Sequence, residues 1–187
     1  MTASRPARRP DVTTVDMVGG LEKRALVLVE HDPRWRQAYA GQERSIREAL
    51  GPAAVRIEHI GSTSVPGLAA KPIIDVLVTV EDITAEEDYL DQLLAAGYEL
   101  RVREPGHRLV RTAACDVHVH VLEVGDGRVD DYLLFRDRLR ADAEDRVLYE
   151  RTKRALVAQD WADMNDYAEA KTEVIASIKE RGRGARP

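Results

Sequence analysis

The residue that most restricts what this chain can be is Asp75, a carboxylate set in the apolar run Ile73-Ile-Asp-Val-Leu-Val-Thr-Val80. A nearly continuous apolar run of this length reads as a central buried strand, entered through Pro72, which has no amide to give a neighbouring strand. A carboxylate there is costly unless it is ion-paired, hydrogen-bonded or bound to a metal. Asp75 therefore needs a partner, either Lys71 or an arginine in a plain salt bridge, or a ligand. Thirteen residues before it, Ser62 stands in Gly61-Ser62-Thr63-Ser64, which leaves a strand predicted over Val55 to Ile60. The hydroxyls and backbone amides of that turn suit a phosphate group, and they equally suit an ordinary tight connection.

A second signal lies in Asp116-Val-His-Val-His-Val-Leu122, which alternates strictly between polar and apolar residues. Alternation of period two puts Asp116, His118 and His120 on one face of a strand. Two imidazoles so placed have metal-ligand spacing, or they are the polar face of a half-exposed strand. Adjacency of this strand to the Asp75 strand decides between those alternatives. Glu58 could add a carboxylate or lie at the surface, and Arg136, Arg140, Tyr167 and Lys171 sit in pairs four residues apart on predicted helices. Cys115 has no neighbour in sequence that would activate it.

The remaining pattern predicts an α+β fold, a mixed sheet flanked by helices with a C-terminal helical cap. Residues 1–24 read as a disordered leader, 25–125 as the α/β body, 126–180 as the helical part of the same domain and 181–187 as a flexible tail. Within the body, a strand is expected at Ala25 to Val29, a helix capped by Asp32 running from Pro33 to Leu50, and a helix from Thr84 to Ala96 stopped by Gly97. Tyr98 to Arg103 and Arg108 to Ala113 form a hairpin, and helices follow near 129–142, 144–158 and 163–180.

The formal net charge is −5, but residues 25–178 hold 29 acidic against 19 basic side chains. An acidic body is a poor surface for nucleic acid, whose binding depends on neutralising phosphates, and it favours small or metal-chelated anions. One cysteine excludes an internal disulfide, and no stretch reaches the roughly 18 apolar residues of a membrane span. With no apolar secretory segment at the N-terminus, a cytoplasmic protein is expected.

The segment Ile57-Glu-His-Ile-Gly-Ser-Thr-Ser-Val-Pro-Gly-Leu-Ala-Ala-Lys-Pro-Ile-Ile-Asp75 closely resembles the signature of the GrpB family. His31-Asp-Pro-Arg-Trp35, His118-Val-His120, Leu133 to Arg140 and Tyr167-Ala-Glu-Ala-Lys171 extend the resemblance over about residues 25–180. That family is similar in fold to the DNA polymerase β-type nucleotidyltransferases, in which Gly-Ser follows one strand and Asp-x-Asp or Asp-x-Glu lies on the next. Gly61-Ser62 and Asp75 match that motif, whereas Leu77 occupies the second carboxylate position. The resemblance implies an enzyme transferring a nucleotidyl group from a nucleoside triphosphate to a small acceptor. Gly61, Ser62, Thr63 and Ser64 would then meet phosphate oxygens, Lys71, Arg136, Tyr167 and Lys171 would complete the substrate site, and Asp75, His118 and His120 would be catalytic and hold Mg²⁺ or Mn²⁺. It also implies an alternative, because similar domains are fused to dephospho-CoA kinase: a non-catalytic nucleotide- or CoA-binding module. A metal-dependent hydrolase built on His118 and His120 is a third reading. The chain lacks the phosphate-binding loop of that kinase.

Overall fold

The computed structural model describes residues 10–20, 26–159, 161 and 164–184. Six strands form one mixed sheet: β1 (Asp16–Met17), β2 (Arg56–Ile60), β3 (Ile74–Val80), β4 (Tyr98–Glu104), β5 (His107–Thr112) and β6 (Val117–Glu123), in the order β1-β4-β5-β6-β3-β2. The pair β3/β6 is parallel and every other pair is antiparallel. Helices α1 (Arg34–Leu50) and α2 (Leu90–Ala95) belong to the first half of the chain, and α3 (Gly127–Ala141), α4 (Ala143–Val157), α5 (Met164–Glu169) and α6 (Thr172–Gly184) to the second. The α+β class expected from the pattern is the one observed.

Strand alternation divides the sheet into two chemically different faces. Ile57, Val76, Val78, Val110, Val117, Val119 and Val121 point to one side and pack with Trp35, Ile46 and Leu50 of α1 and with Leu90 and Leu93 of α2 in the main core. The other side carries Ile60, Leu77 and Leu122, which close under Val129 and Leu133 of α3. Asp75, His118 and His120 share this second face with Leu77, beside that apolar patch. A third cluster, Val65, Leu68, Leu139, Tyr149 and Ile178, joins the turn after β2 to α3, α4 and α6.

Local chemistry accounts for most element boundaries. Asp32 Oδ1 accepts the Arg34 N–H at 2.9 Å at the start of α1, and Asp126 and Asp142 accept the Arg128 and Asp145 amides at 2.8 and 2.9 Å at the starts of α3 and α4. The long helix expected from Thr84 shortens to α2. Thr84 directs its amide and hydroxyl to Asp82 Oδ1 at 2.8 and 2.6 Å, and the chain makes a single 3₁₀ turn at Glu86–Asp88 first. The helix expected near 163–180 is two helices, α5 and α6, separated at Ala170 and Lys171. Of the strand expected at Ala25 to Val29, Ala25 lies outside the described residues and Val29 forms a lone antiparallel bridge with Ala70.

Both expected tails are corrected in part. Asp16–Met17 adds an edge strand to β4, because two buried arginines need partners that solvent does not supply. Arg101 donates to the carbonyls of Val18 and Gly20. Arg108, 2% exposed, pairs with Asp11 at 2.7 Å and Glu86 at 2.6 Å. At the other end, residues 181–184 continue α6, and Arg181 pairs with the buried Asp145.

Leu77 is fully buried between β2, β6 and α3. Leu77→Ala should lower the unfolding free energy by about 2–5 kcal/mol, the usual range for a core leucine truncation, read as a drop in the urea midpoint with an unchanged slope.

Candidate functional site

The parallel register of β3 and β6 sets Asp75 directly against His118 and Leu77 against His120. His118 Nδ1 stands 3.6 Å and His120 Nε2 3.8 Å from the same oxygen, Asp75 Oδ1. The three side chains keep 26%, 27% and 17% of their exposure, so they line an opening and are not sealed in the core. Burial acts to raise the Asp75 pKa, but the two imidazoles outweigh it and hold the carboxyl well below the ordinary carboxylate range. Adjacency of the two strands is what joins the two separate sequence signals into one site.

Gly61 is the hinge of the phosphate-like turn. Its backbone sits at φ +70°, ψ −179°, a region essentially restricted to glycine. A Cβ at this position would overlap Asp75 Oδ2 and lie 2.9 Å from Asp75 Cβ and Cγ. The turn is therefore pressed directly against the carboxylate.

Within the turn the hydroxyls divide between scaffold and site. Thr63 donates to the Ile73 carbonyl at 2.9 Å and stands 3.1 Å from His59 Nε2, which must carry the proton of that contact. Ser64 donates to the Gly61 carbonyl at 2.6 Å. A hydroxyl has one proton, so the Thr63 and Ser64 hydroxyls spend theirs within the turn, and of these two residues only a backbone amide could meet a phosphate. Ser62 differs: its Oγ accepts from Lys153 Nζ at 3.1 Å and is also hydrogen-bonded with Tyr149 of α4.

Lysines from three parts of the chain converge here. Lys71 and Lys171 lie 5.0 and 4.4 Å from the centre of the Tyr167 ring, one on the loop before β3 and the other between α5 and α6. Lys153 of α4, 3% exposed, also donates to the Ala69 carbonyl and lies 4.9 Å from the Tyr149 ring. Burial, and after it the nearby Lys171, push the Lys153 pKa down to about 7. Burial followed by Lys71 brings Lys171 down to about 8, against the pull of Asp75. Lys71 is likewise lowered by burial and partly restored by Asp75. Three cations crowded together, with Asp75 acting on two of them, make a place that favours an anion.

Other candidates lie elsewhere. Arg136 is tied to Glu58 and Asp137, each at 2.7 Å, and to the His59 carbonyl, so it anchors α3 to β2 and is no phosphate clamp. The same pairing, with Arg56, occupies Glu58. Arg140 donates to the Ser64 carbonyl and braces the turn. Asp116 accepts from Thr112 in the β5–β6 connection and does not extend the histidine row into the site. Sequence reasoning missed Lys153 and His107. Lys153 follows Tyr149 by one helical turn on the inward side of α4, and His107 is the first residue of β5, where its Nε2 meets His120 Nδ1 at 3.1 Å.

A resident pair of Mg²⁺ ions does not fit these residues. The second carboxylate position is Leu77, enclosed in the apolar patch, and Asp75 is the single hard anionic ligand at this point. Among the described residues no group of three or more His, Cys, Asp and Glu side chains is placed to hold a metal ion. No helix among them is long and apolar enough to cross a membrane.

Fold and site together define an α+β protein that carries a carboxylate and two histidines on the one parallel strand pair among the described residues, with three lysines gathered near them. The chain belongs to the GrpB family, described as GrpB protein, whose match covers residues 25–181. A UPF0157 protein of Streptomyces coelicolor is 64% identical over 186 residues, covering 100% of both chains. The crystal structure of the conserved protein GrpB from Enterococcus faecalis superposes with a TM-score of 0.74 at 28% identity, over 83% of this chain and 96% of that one. A dephospho-CoA kinase of Mycolicibacterium paratuberculosis is 30% identical over 173 residues, 77% of this chain and 42% of the kinase.

Gly61→Ala should destabilise the protein by about 1–3 kcal/mol from backbone strain alone, with displacement of Asp75 adding to it; chemical denaturation measures the loss. The lysines give a pH signature. Lys153 and Lys171 lie at about 7 and 8 in the folded protein against an ordinary 10.5, so between those values the unfolded chain binds more protons. Their contribution to stability should therefore rise with pH from 7 towards 10, and Lys153→Met should make that rise shallower in urea midpoints taken at successive pH values.

Proposed function

We propose that this protein binds a nucleoside triphosphate in the cleft between Ser62, Asp75 and the three lysines, and transfers a nucleotidyl group to a small acceptor. The observation that carries this reading is the convergence of buried Lys153 and half-buried Lys71 and Lys171 near the Gly61-Ser62 turn and a single half-buried carboxylate. Charge-assisted contacts from the lysines would neutralise the phosphates, with Ser62 donating to one phosphate oxygen. Tyr167 holds Lys71 and Lys171 together, and the Gly61 backbone lets the turn lie against Asp75.

Mg²⁺ or Mn²⁺ enters in this proposal as part of the substrate, chelated by the triphosphate, with Asp75 as the protein carboxylate it meets. That places no demand on a second carboxylate at Leu77. His118 and His120 then serve on the acceptor side of Asp75, opposite the lysines. The acidic remainder of the body disfavours a polynucleotide acceptor, and the lone cysteine with a triphosphate substrate points to the cytosol.

Leu77 and the kinase relative favour a second reading, a nucleotide- or CoA-binding module without transfer chemistry. It predicts binding with no pyrophosphate release, and a pyrophosphate assay on the protein used for the titration below separates the two.

Calorimetric titration with ATP, in the presence and absence of Mg²⁺ or Mn²⁺, tests the proposal. Lys153→Met and Lys71→Met should each weaken binding tenfold or more, about 1.4 kcal/mol, and Asp75→Ala should remove the metal dependence. Wild-type binding should also tighten from pH 8 to pH 6, as Lys153 gains its proton. Unchanged affinity and turnover in Asp75→Ala would reject the site.

A further inference from the structure

Lys153 is enclosed more tightly than anion binding requires. It projects from α4 with 3% exposure, donates from Nζ to the Ala69 carbonyl, and stands 3.1 Å from Ser62 Oγ and 4.9 Å from the centre of the Tyr149 ring. Tyr149 lies one helical turn before it and is itself hydrogen-bonded with Ser62. Glu150 accepts the Ala69 amide at 3.1 Å, so α4 holds both the N–H and the C=O of one residue and the amine is fixed beside the serine. Ser62 is half-buried, on the sharp turn made by Gly61. An accessible hydroxyl is thus backed by an enclosed amine.

Proton counting gives this pair two states. An ammonium has three N–H donors, for which the Ala69 carbonyl, Ser62 Oγ and the Tyr149 ring face are the neighbouring acceptors. A neutral amine keeps two donors and gains a lone pair. The carbonyl and the ring only accept, so the lone pair falls to Ser62, whose hydroxyl can reverse its role and donate while Tyr149 donates to its oxygen. Burial, and after it Lys171, Arg154 and Lys71, bring the Lys153 pKa down to about 7 against the pull of Glu150, so both states are populated near neutrality.

We propose that Ser62 is a nucleophile with Lys153 as its general base, and that the pair takes an acyl group from an acyl phosphate. The pairing stands on the contact itself and goes beyond the transfer reading, in which both residues only meet phosphates. A hydroxyl within hydrogen-bond reach of a base that a third group holds in place is the arrangement that activates serine. In the step, the Ser62 O–H bond breaks and its proton passes to Lys153 Nζ. Oγ forms a bond to the acyl carbon, the bond from that carbon to the phosphate oxygen breaks, and phosphate leaves with the electron pair and takes the proton from Lys153. Water then attacks the acyl-serine, giving its proton to Lys153, which returns it to Ser62 Oγ as the acid departs. The leaving group is the kind of anion that Lys71 and Lys171, close enough to act on Lys153, would attract.

Reaction with a small alkyl fluorophosphonate tests the pair without nucleotide or metal. Attack forms an Oγ–P bond and releases fluoride, and peptide mass spectrometry should find the adduct on Ser62 and none on that peptide in S62A. The labelling rate should rise about tenfold from pH 6 to pH 8, as Lys153 loses its proton, and K153M should react about a hundredfold more slowly or less. Wild-type protein should hydrolyse acetyl phosphate, and prior labelling of Ser62 should stop it. An unmodified Ser62, or K153M labelled at the wild-type rate, overturns the pair. Should K153M not fold, a labelling rate that is flat from pH 6 to pH 8 overturns it on the wild type alone. Labelling of Ser62 with acetyl phosphate left intact keeps the pair and overturns the acyl phosphate as its substrate. No nucleotide takes part, so calorimetry with Mg·ATP judges the transfer reading separately.

Discussion

The architecture of the cleft depends on one carboxylate kept in a strand whose other residues are buried. Asp75 remains there because every structure around it offers compensation. Two imidazoles approach from β6, two lysines act on it through space, and a glycine backbone leaves its oxygen room. Removing any of these would leave a half-buried charge less well matched, a cost that for buried ion pairs exceeds the gain from forming them. The turn, the parallel strand pair and the cap of helices are therefore parts of one electrostatic arrangement.

Much of this was readable in the sequence where the signal is local. The apolar run announces β3, and strict alternation announces β6 and the shared face of His118 and His120. Asp32 and Gly97 mark helix ends because caps are decided by neighbours in the chain. What the sequence left open was nonlocal. The pairing of β3 with β6 depends on a crossover through α2, β4 and β5, and no residue pattern announces that choice. His107 was hidden because its contact with His120 depends on the register of β5 against β6. Lys153 was hidden because a lysine in an amphipathic helix reads as surface until Tyr149 and the Ala69 carbonyl are seen to enclose it.

The serine-rich turn shows how far a motif can be trusted. Four consecutive residues resemble a phosphate cradle, yet one is present for its backbone, two use their only hydroxyl proton to close the turn, and the Ser62 hydroxyl is engaged by Lys153 and Tyr149 of α4. Arg136 teaches the same lesson: its charge looks available along the helix, but two carboxylates and a carbonyl already occupy it. Residue type and spacing nominate candidates, and the count of protons and lone pairs decides among them.

On the proposed reading, charge distribution selects the kind of ligand. Residues 25–178 have an excess of acidic side chains, while the cleft gathers three lysines around one carboxylate. At physiological ionic strength exposed charges act over roughly 8 Å, so a long polyanion lying across the surface meets repulsion along its length. A small anion entering the cleft meets the lysines at close range, in a setting where lowered polarity strengthens each contact. Depressed lysine pKa values sharpen this preference, since a lysine that has lost its proton in the empty cleft regains it as negative charge arrives. In the proposed site each phosphate group would therefore bring in part of the positive charge that holds it, and a highly charged small molecule would gain more from this response than a singly charged one.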